Sequence, residues 1–362
     1  MDRQVCAAHK ARGTLEASPF GKTGKHPIEE LVTHLSDTPT WNDLVIRAAA
    51  PDEDAALVEL MRLVYAHQGR PHPTTADQYR QMLHAPFFDP TLDRRVVSTA
   101  DGTLAGYAHL TNRAAFTRLH PAVYVHPDYT GRGIGTYLTE WAEARARELI
   151  PRAPTAQPVI LSCSISSTQT VAAELLTAHG YTLVRHFLDL QADLMTAPAP
   201  PVWPAQITLR TAIRGQDERA IYRVVDETFG DHWDHVHVEE EEGLARFVQR
   251  IEDNPQHDPT LWFLACVQDA AGQEEIVGYA LCDLSGWINL VGVRRPWRRQ
   301  GLAAALVQQC FGEFWRRGVQ EVHLMVDGES PTRAVQLYVR AGMRKVYQAD
   351  VYFKELRPAG AA

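Results

Sequence analysis

Short apolar runs with strand character alternate along this chain with longer segments whose apolar residues recur at helical spacing, and the order is the same in two long stretches. Each stretch opens on a β-type run ending in arginine, Leu44-Val45-Ile46-Arg47 and Ile207-Thr208-Leu209-Arg210. An acidic amphipathic segment follows, Asp52 to Ala66 and Gln216 to Phe229. Two apolar runs around a glycine turn then predict a β-hairpin: Arg95 to Thr99 and Leu104 to Leu110 around Asp101-Gly102, and Trp262 to Val267 and Ile276 to Leu284 around Ala271-Gly272. A further strand ends at Tyr124-Val125 and at Gly292-Val293, and a glycine-containing turn leads into a long amphipathic helix, Gly133 to Leu149 and Gly301 to Arg317. Another strand, a shorter helix, a glycine and two more strands are expected to close each stretch. This order predicts a mixed sheet with helices on both faces, formed twice.

The interval from Val125 to Gly133 equals that from Val293 to Gly301, and Ala172 to Tyr181 aligns with Ala334 to Met343 without a gap. Duplication is the simplest origin. Between the copies, Ala197 to Pro204 carries four prolines and reads as a stiff, extended linker. The expected organisation is a poorly ordered tail over 1–40, with one short helix near Ile28 to Leu35, a first domain over 42–196, the linker over 197–204 and a second domain over 205–357.

Composition narrows the function classes. The 362 residues are 45% hydrophobic and 22% charged, as in a soluble protein of two cores. A net charge of -8 argues against a nucleic-acid partner. The acidic run Glu239 to Glu242 reads as a solvated helix start or as a recruiting site for a basic substrate. The five cysteines (Cys6, Cys163, Cys266, Cys282 and Cys310) are odd in number and lack CxxC spacing, which fits a reducing cytoplasm. There is no long apolar stretch for a membrane span and no apolar core for a secretory signal.

The most informative segment is Val291 to Ala303. A strand enters a turn, Arg298-Arg299-Gln300-Gly301, that opens a helix at Leu302-Ala303. A helix N-terminus offers backbone N–H groups that no carbonyl satisfies, and its dipole favours anions. A glycine and a small residue leave room for a pyrophosphate, and two arginines supply charge. The same segment also suits an ordinary basic surface turn. In the first copy the turn is Thr130-Gly131-Arg132-Gly133-Ile134-Gly135: the glycines persist and Thr130 replaces the first arginine.

Arg298 to Ala303 resembles the R/Q-x-x-G-x-G/A signature of the GNAT superfamily of N-acetyltransferases, and Thr130 to Gly135 matches it except at the first position. Ser330 to Met343 resembles the family's second motif, a helix with a tyrosine shortly before a glycine-apolar pair. The tandem layout is similar to that of mycothiol synthase, although no residue singles out that acceptor. The resemblance covers both copies and implies an α/β (α+β) fold: two tandem GNAT-like domains, each a mixed, mostly antiparallel sheet flanked by helices. It implies acyl transfer from acetyl-CoA, as co-substrate, to an amine. The cofactor would lie on Val291, Gly292, Val293, Arg298, Arg299, Gln300, Gly301, Leu302 and Ala303, and in the first copy on Val125, Arg132, Gly133, Ile134 and Gly135. The N–H donor to the oxyanion falls in the Trp287 to Val293 strand, around Val291 to Val293. Tyr338 takes the place of the phenol that protonates the leaving thiolate.

At the place of Tyr338 the first copy has Leu176, which donates nothing; Tyr124, Tyr129 and Tyr181 are out of register. The second copy is therefore expected to be catalytic and the first to bind coenzyme A or act as a scaffold. The base is open among Asp283, Asn289 and His323. His232 and Trp233, in the cluster Phe229 to His237, are expected to line the acceptor pocket; the H-x-x-H-x-H pattern there matches no standard zinc signature, so no metal is expected. The matching stretch of the first copy, His67 to Pro73, differs in character. The leading expectation is a cytoplasmic N-acetyltransferase, monomeric or homodimeric, acting on a small amine. The alternatives are a thiol-cofactor synthase and a non-catalytic acetyl-CoA sensor.

Overall fold

The computed structural model describes residues 41–69, 76–84, 87–112, 115–230, 232–233, 238–268, 271–330 and 332–360. The tail over 1–40, with the helix expected near Ile28 to Leu35, lies outside the described residues. Two compact units are present. Of the described residues, those within 1–67, 71–110 and 123–149 form the first, and those within 68–70, 111–122 and 150–362 form the second. The units divide the chain differently from the sequence repeat.

The first unit holds strand β1 (Leu44–Arg47), helices α1 (Asp54–His67) and α2 (Ala76–Leu83), and strands β2 (Arg94–Thr99) and β3 (Leu104–Asn112) up to residue 110. The end of β4 (Arg118–Val125) and helix α3 (Ile134–Leu149) complete it. β1, β2 and β3 pair antiparallel. Alternation sends neighbouring residues to opposite faces. Val96 packs with Leu57, Met61 and Tyr79, while Val97 packs with Ile134, Leu138 and Trp141.

The second unit holds β5 (Val159–Ser166), α4 (Thr170–Ala178), β6 (Thr182–Asp193), β7 (Thr208–Thr211), α5 (Glu218–Phe229) and α6 (Glu240–Glu252). It continues through β8 (His257–Gln268), β9 (Glu274–Asp283), β10 (Ile288–Val293), α7 (Leu302–Arg316), β11 (Glu321–Asp327), α8 (Ala334–Arg340) and β12 (Arg344–Arg357). β7 to β10 form an antiparallel sheet. One face packs Trp262, Leu264 and Leu281 against Ile221 of α5 and Phe247 of α6. The other packs Val277, Ala280 and Cys282 against Leu306, Cys310 and Phe314 of α7. Residues 197–204 carry no regular secondary structure, and Trp203 packs on the latter core.

The two closing strands expected for each copy are replaced by one. Each copy ends in a single long strand, β6 or β12, and each strand inserts into the other copy's arrangement in the order β5-β12-β6-β11. β12 pairs antiparallel with β5 on one side and β6 on the other, and β6 pairs with β11 on its far side. The physical reason is edge satisfaction: the last strand of each copy has a full row of backbone donors and acceptors, and the other copy's last strand covers it.

Other features repeat faithfully. Arg47 at the end of β1 forks onto Glu53, and Arg210 at the end of β7 forks onto Asp217 at 2.7 and 2.9 Å. The acidic run is a helix start: Glu240 and Glu241 open α6 and pair with Arg219 and Arg223. Cys163, Cys266, Cys282 and Cys310 are buried free thiols. Among the described residues no helix is long and apolar enough to cross a membrane.

Candidate active site

β10 diverges from β11. The two strands meet at one parallel bridge, Trp287 to His323, where the His323 N–H donates to Gly286 at 2.9 Å. On its other edge β10 pairs with β9 as far as Val293, and the Arg294 N–H donates to Val277 at 2.9 Å. The alternation of an antiparallel ladder therefore turns the N–H groups of Val291 and Val293 away from β9, into the gap beside β11. A register shift between Ile288 and Leu290 leaves Asn289 unpaired and bends the strand there. The first copy repeats the arrangement: β4 and β5 pair in parallel at Arg118 and Leu119, and Leu119–Leu161 corresponds to Trp287–His323.

The gap leads to the glycine turn. A 3₁₀ turn over Arg295–Trp297 ends at Arg298 in extended conformation; Arg299 and Gly301 are left-handed, with φ of 63° and 85°, and α7 begins at Leu302. The first copy has the same backbone, with a 3₁₀ turn over Pro127–Tyr129 and Gly131 and Gly133 at φ 75° and 79°. A Cβ built on Gly301 meets no atom within 4 Å, so the space over the start of α7 is open. The first intrahelical bond runs from Ala305 to Gly301, leaving the N–H groups of Leu302, Ala303 and Ala304 without an intrahelical carbonyl. This open, donor-rich surface fits the pyrophosphate of acetyl-CoA. The Arg298 Nε donates to the Val293 carbonyl at 3.0 Å, which ties the arginine to the end of β10. The Gln300 side chain donates to Pro296 at 3.0 Å, bracing the turn. Arg299 is exposed.

The corresponding first-copy turn differs in charge. Thr130 donates to Pro127 at 2.9 Å. Arg132 is engaged by Asp43 at 2.6 Å, and the Trp41 indole donates to its carbonyl at 2.9 Å. The cation counted in the sequence is thus matched by a carboxylate beside it. Val125, Ile134 and Gly135 stand in the same places as Val293, Leu302 and Ala303.

Tyr338 lies on α8, buried at 7% exposure against the α7 core. Its hydroxyl makes no hydrogen bond among the described residues, and burial pushes its pKa up to about 12, so it is protonated at neutral pH. Leu176 occupies the corresponding place on α4, also buried.

The structure brings Asp283 and Asn289 together. The Asn289 amide donates to Asp283 Oδ2 at 2.9 Å, and the Ser285 N–H and hydroxyl donate to Oδ1, so both oxygens of this carboxylate already accept hydrogen bonds within the β9–β10 turn. His323 stacks on Trp287 with ring centres 5.5 Å apart, beside the closed end of the gap.

His232 and Trp233 pack on strands that the sequence did not associate with them. His232 lies against Phe187 of β6 and Phe229, and Trp233 against Phe353 of β12 at 5.0 Å, with the Arg185 guanidinium over the indole at 5.2 Å. Arg185, Phe187 and Phe353 were missed because strand exchange brings them there, a pairing that no local pattern announces. Among the described residues no group of side chains forms a metal site. His235 and His237, and most of the stretch from His67 to Pro73, lie outside the described residues.

Comparison with known proteins agrees with this geometry. Residues 57–159 and 219–343 match the Acetyltransferase (GNAT) family. The mycothiol acetyltransferase of Thermomonospora curvata is 31% identical over 270 residues, covering 73% of this chain and 83% of that protein. That of Parafrankia sp. is 29% identical over 296 residues, with the same coverage. A GCN5-related N-acetyltransferase from Sphaerobacter thermophilus has a TM-score of 0.73 at 35% identity, over 87% of this chain and 96% of its own. A tandem GNAT protein from the clavulanic acid biosynthesis pathway shares the fold, with a TM-score of 0.62 at 17% identity over 88% of this chain and all of its own. Members of this family draw their acyl group from acetyl-CoA, and the chain is an acetyltransferase that belongs to the GNAT family.

Proposed function

We propose that the chain transfers an acetyl group from acetyl-CoA to a primary amine of a small molecule, and that the second copy carries the reaction. The observation that bears most weight is the divergence of β10 from β11, with the Val291 and Val293 N–H groups turned into the gap beside β11 and the open Gly301 turn following at the end of β10. In this reading the start of α7, Arg298 and Arg299 hold the pyrophosphate, and an N–H of β10 meets the oxyanion as the amine attacks. Tyr338 donates its proton to the departing sulfur. His232 and Trp233 line the acceptor side. The first copy keeps its turn but has Thr130, a paired Arg132 and Leu176, and on this reading it binds without turning over.

A second reading concerns the acceptor. Relatives at about 30% identity named mycothiol acetyltransferase support an amine of the mycothiol series. Neither reading involves nucleic acid or a membrane.

Release of free thiol from acetyl-CoA, followed across a panel of amines that includes mycothiol precursors, tests both. Amine-dependent release is expected. A rate no higher than hydrolysis with every amine overturns the proposal, and release with simple amines but not with the precursors overturns the second reading. Coenzyme A counted per chain by mass spectrometry reports whether the first copy is loaded.

A further inference from the structure

We infer that Asp327 is the group that holds the acceptor's amine in the second copy and takes its proton. The inference rests on the acetyl-transfer reading and adds to it a residue that neither motif contains.

Position is the first support. Trp287 and His323 bridge β10 to β11 in parallel, so Val291 and Asp327 both lie four residues beyond the bridge. Asn289 is the extra residue of the β10 bulge, so at about 3.3 Å per residue Val291 lies about 10 Å and Asp327 about 13 Å beyond the bridge, within one residue step of each other along diverging strands. Asp327 therefore faces the candidate oxyanion donor across the mouth of the gap. Its side is fixed by register: Asp327 pairs with Phe187 of β6, whose ring lies against His232, and Arg185, two residues along on the same face, lies against Trp233. The carboxylate thus points to the acceptor side.

Its chemistry is the second support. The Asp327 side chain is 2% exposed. Oδ1 accepts the Glu329 N–H at 2.9 Å, while Oδ2 is buried and accepts no hydrogen bond among the described residues. The Arg185 Nε, also buried and without a hydrogen bond, stands 3.6 Å from it, beyond hydrogen-bond length, while Nη1 of the same arginine donates to Glu329 at 2.7 Å. A buried carboxylate oxygen without a donor is costly, and an amine supplies the missing N–H. The other candidates are placed differently, because both oxygens of Asp283 already accept hydrogen bonds within the β9–β10 turn and His323 lies at the closed end of the gap.

The duplication supplies the control. Because Leu119–Leu161 corresponds to Trp287–His323, the first-copy counterpart of Asp327 is Ile165. The fold accepts an aliphatic residue there, so the carboxylate is not a requirement of the strand. It is lost in the same copy that lacks Arg298 and Tyr338.

In the proposed step the amine nitrogen bonds to the thioester carbon and the C–S bond breaks. The nitrogen loses one proton to Asp327 Oδ2, and the sulfur gains one from Tyr338. Solvent returns the proton from Asp327 to Tyr338, leaving amide and free thiol.

The test is Asp327→Asn in the full chain, which keeps the shape and the Oδ1 acceptor. Its kcat/KM for the best amine should fall by about 100-fold or more, with the KM for acetyl-CoA within about threefold of wild type. The residual rate should climb with pH as more of the amine is neutral in solution. Asp327→Ile, which copies the first-copy residue, should show the same loss and decides the matter if the asparagine variant is unstable. Activity within about threefold of wild type in a folded variant overturns the inference and leaves the acetyl-transfer reading intact. Absence of amine-dependent thiol release by the wild-type chain overturns both.

Discussion

Replacing Gly301 with alanine, and separately Gly133, separates the two turns by function at matched structural cost. Both glycines are left-handed, with φ of 85° and 79°, and a Cβ on either meets no protein atom within 4 Å. The cost to folding is therefore backbone strain alone, about 1–2 kcal/mol in each case. Thermal unfolding should shift by only a few degrees, and equally in both variants. Ligand binding should not be equal. On Gly301 the methyl group enters the open space over α7 where the pyrophosphate would approach the backbone. Loss of one hydrogen bond to a charged group is worth about 1.5–3 kcal/mol, or about ten- to hundred-fold in affinity. Steady-state kinetics at saturating amine should give Gly301→Ala an acetyl-CoA KM raised by that factor, whereas Gly133→Ala keeps kcat and KM within about twofold. Unchanged KM in the first variant, or loss of kcat in the second, would refute the assignment of catalysis to the second copy.

Tyr338→Phe should lower kcat by about 10²–10⁴ with little change in the KM for acetyl-CoA. Its melting temperature should barely move, because the lost hydroxyl makes no hydrogen bond among the described residues. Burial raises the Tyr338 pKa from 10.0 to about 12, so an alkaline limb of kcat well below pH 11 that vanished in the phenylalanine variant would contradict its role. The same shift has a stability consequence: the folded pKa exceeds the unfolded one, so this contribution is complete below pH 10 and is lost as pH rises towards 12, which alkaline denaturation of wild type and the variant should reveal. Asp217→Asn breaks the fork from Arg210 and should cost about 1–3 kcal/mol in urea unfolding. Arg210 holds the Asp217 pKa below its ordinary 3.8, so the difference between variant and wild type should be full above that pH and shrink as pH falls below it.

Local order was legible in the sequence and pairing was not. The repeat, the hairpins, the long helix after each glycine turn and the shorter helix bearing Tyr338 or Leu176 follow from periodicity and turn residues, which act over a few positions. The turn was legible because glycine marks left-handed backbone, and Gly131, Gly133 and Gly301 are all of that kind. Arg299 adopts the same conformation without a glycine to announce it. What escaped depends on partners distant in sequence. Arg132 was visible as a cation but its neutralising Asp43 was not. Trp233 was visible as an aromatic in the loop after α5, but the β12 ring beneath it was hidden by the exchange of the last strands. Asp327 ends an otherwise unremarked strand, and its meaning appears only when the bridge at His323 aligns it with Val291 and with Ile165.

The exchange also bears on why a copy without the expected chemistry would persist. β6 belongs in sequence to the first copy, yet it pairs with β11 along seven residues and with β12 on its other side. Without β6, both strands of the second copy would expose an edge, and Arg185 and Phe187 would be gone from beside Asp327, His232 and Trp233. On the proposed reading, selection on the second copy's acceptor side is then enough to hold the first copy's last strand in place, whatever happens to its own turn. The constraint is local. It acts on Arg185 and Phe187 through what they touch, and it leaves Thr130, Ile165 and Leu176 free to differ from Arg298, Asp327 and Tyr338, the residues proposed to serve the reaction. Duplication with exchanged strands thus permits chemistry to be lost from one copy while its fold is retained.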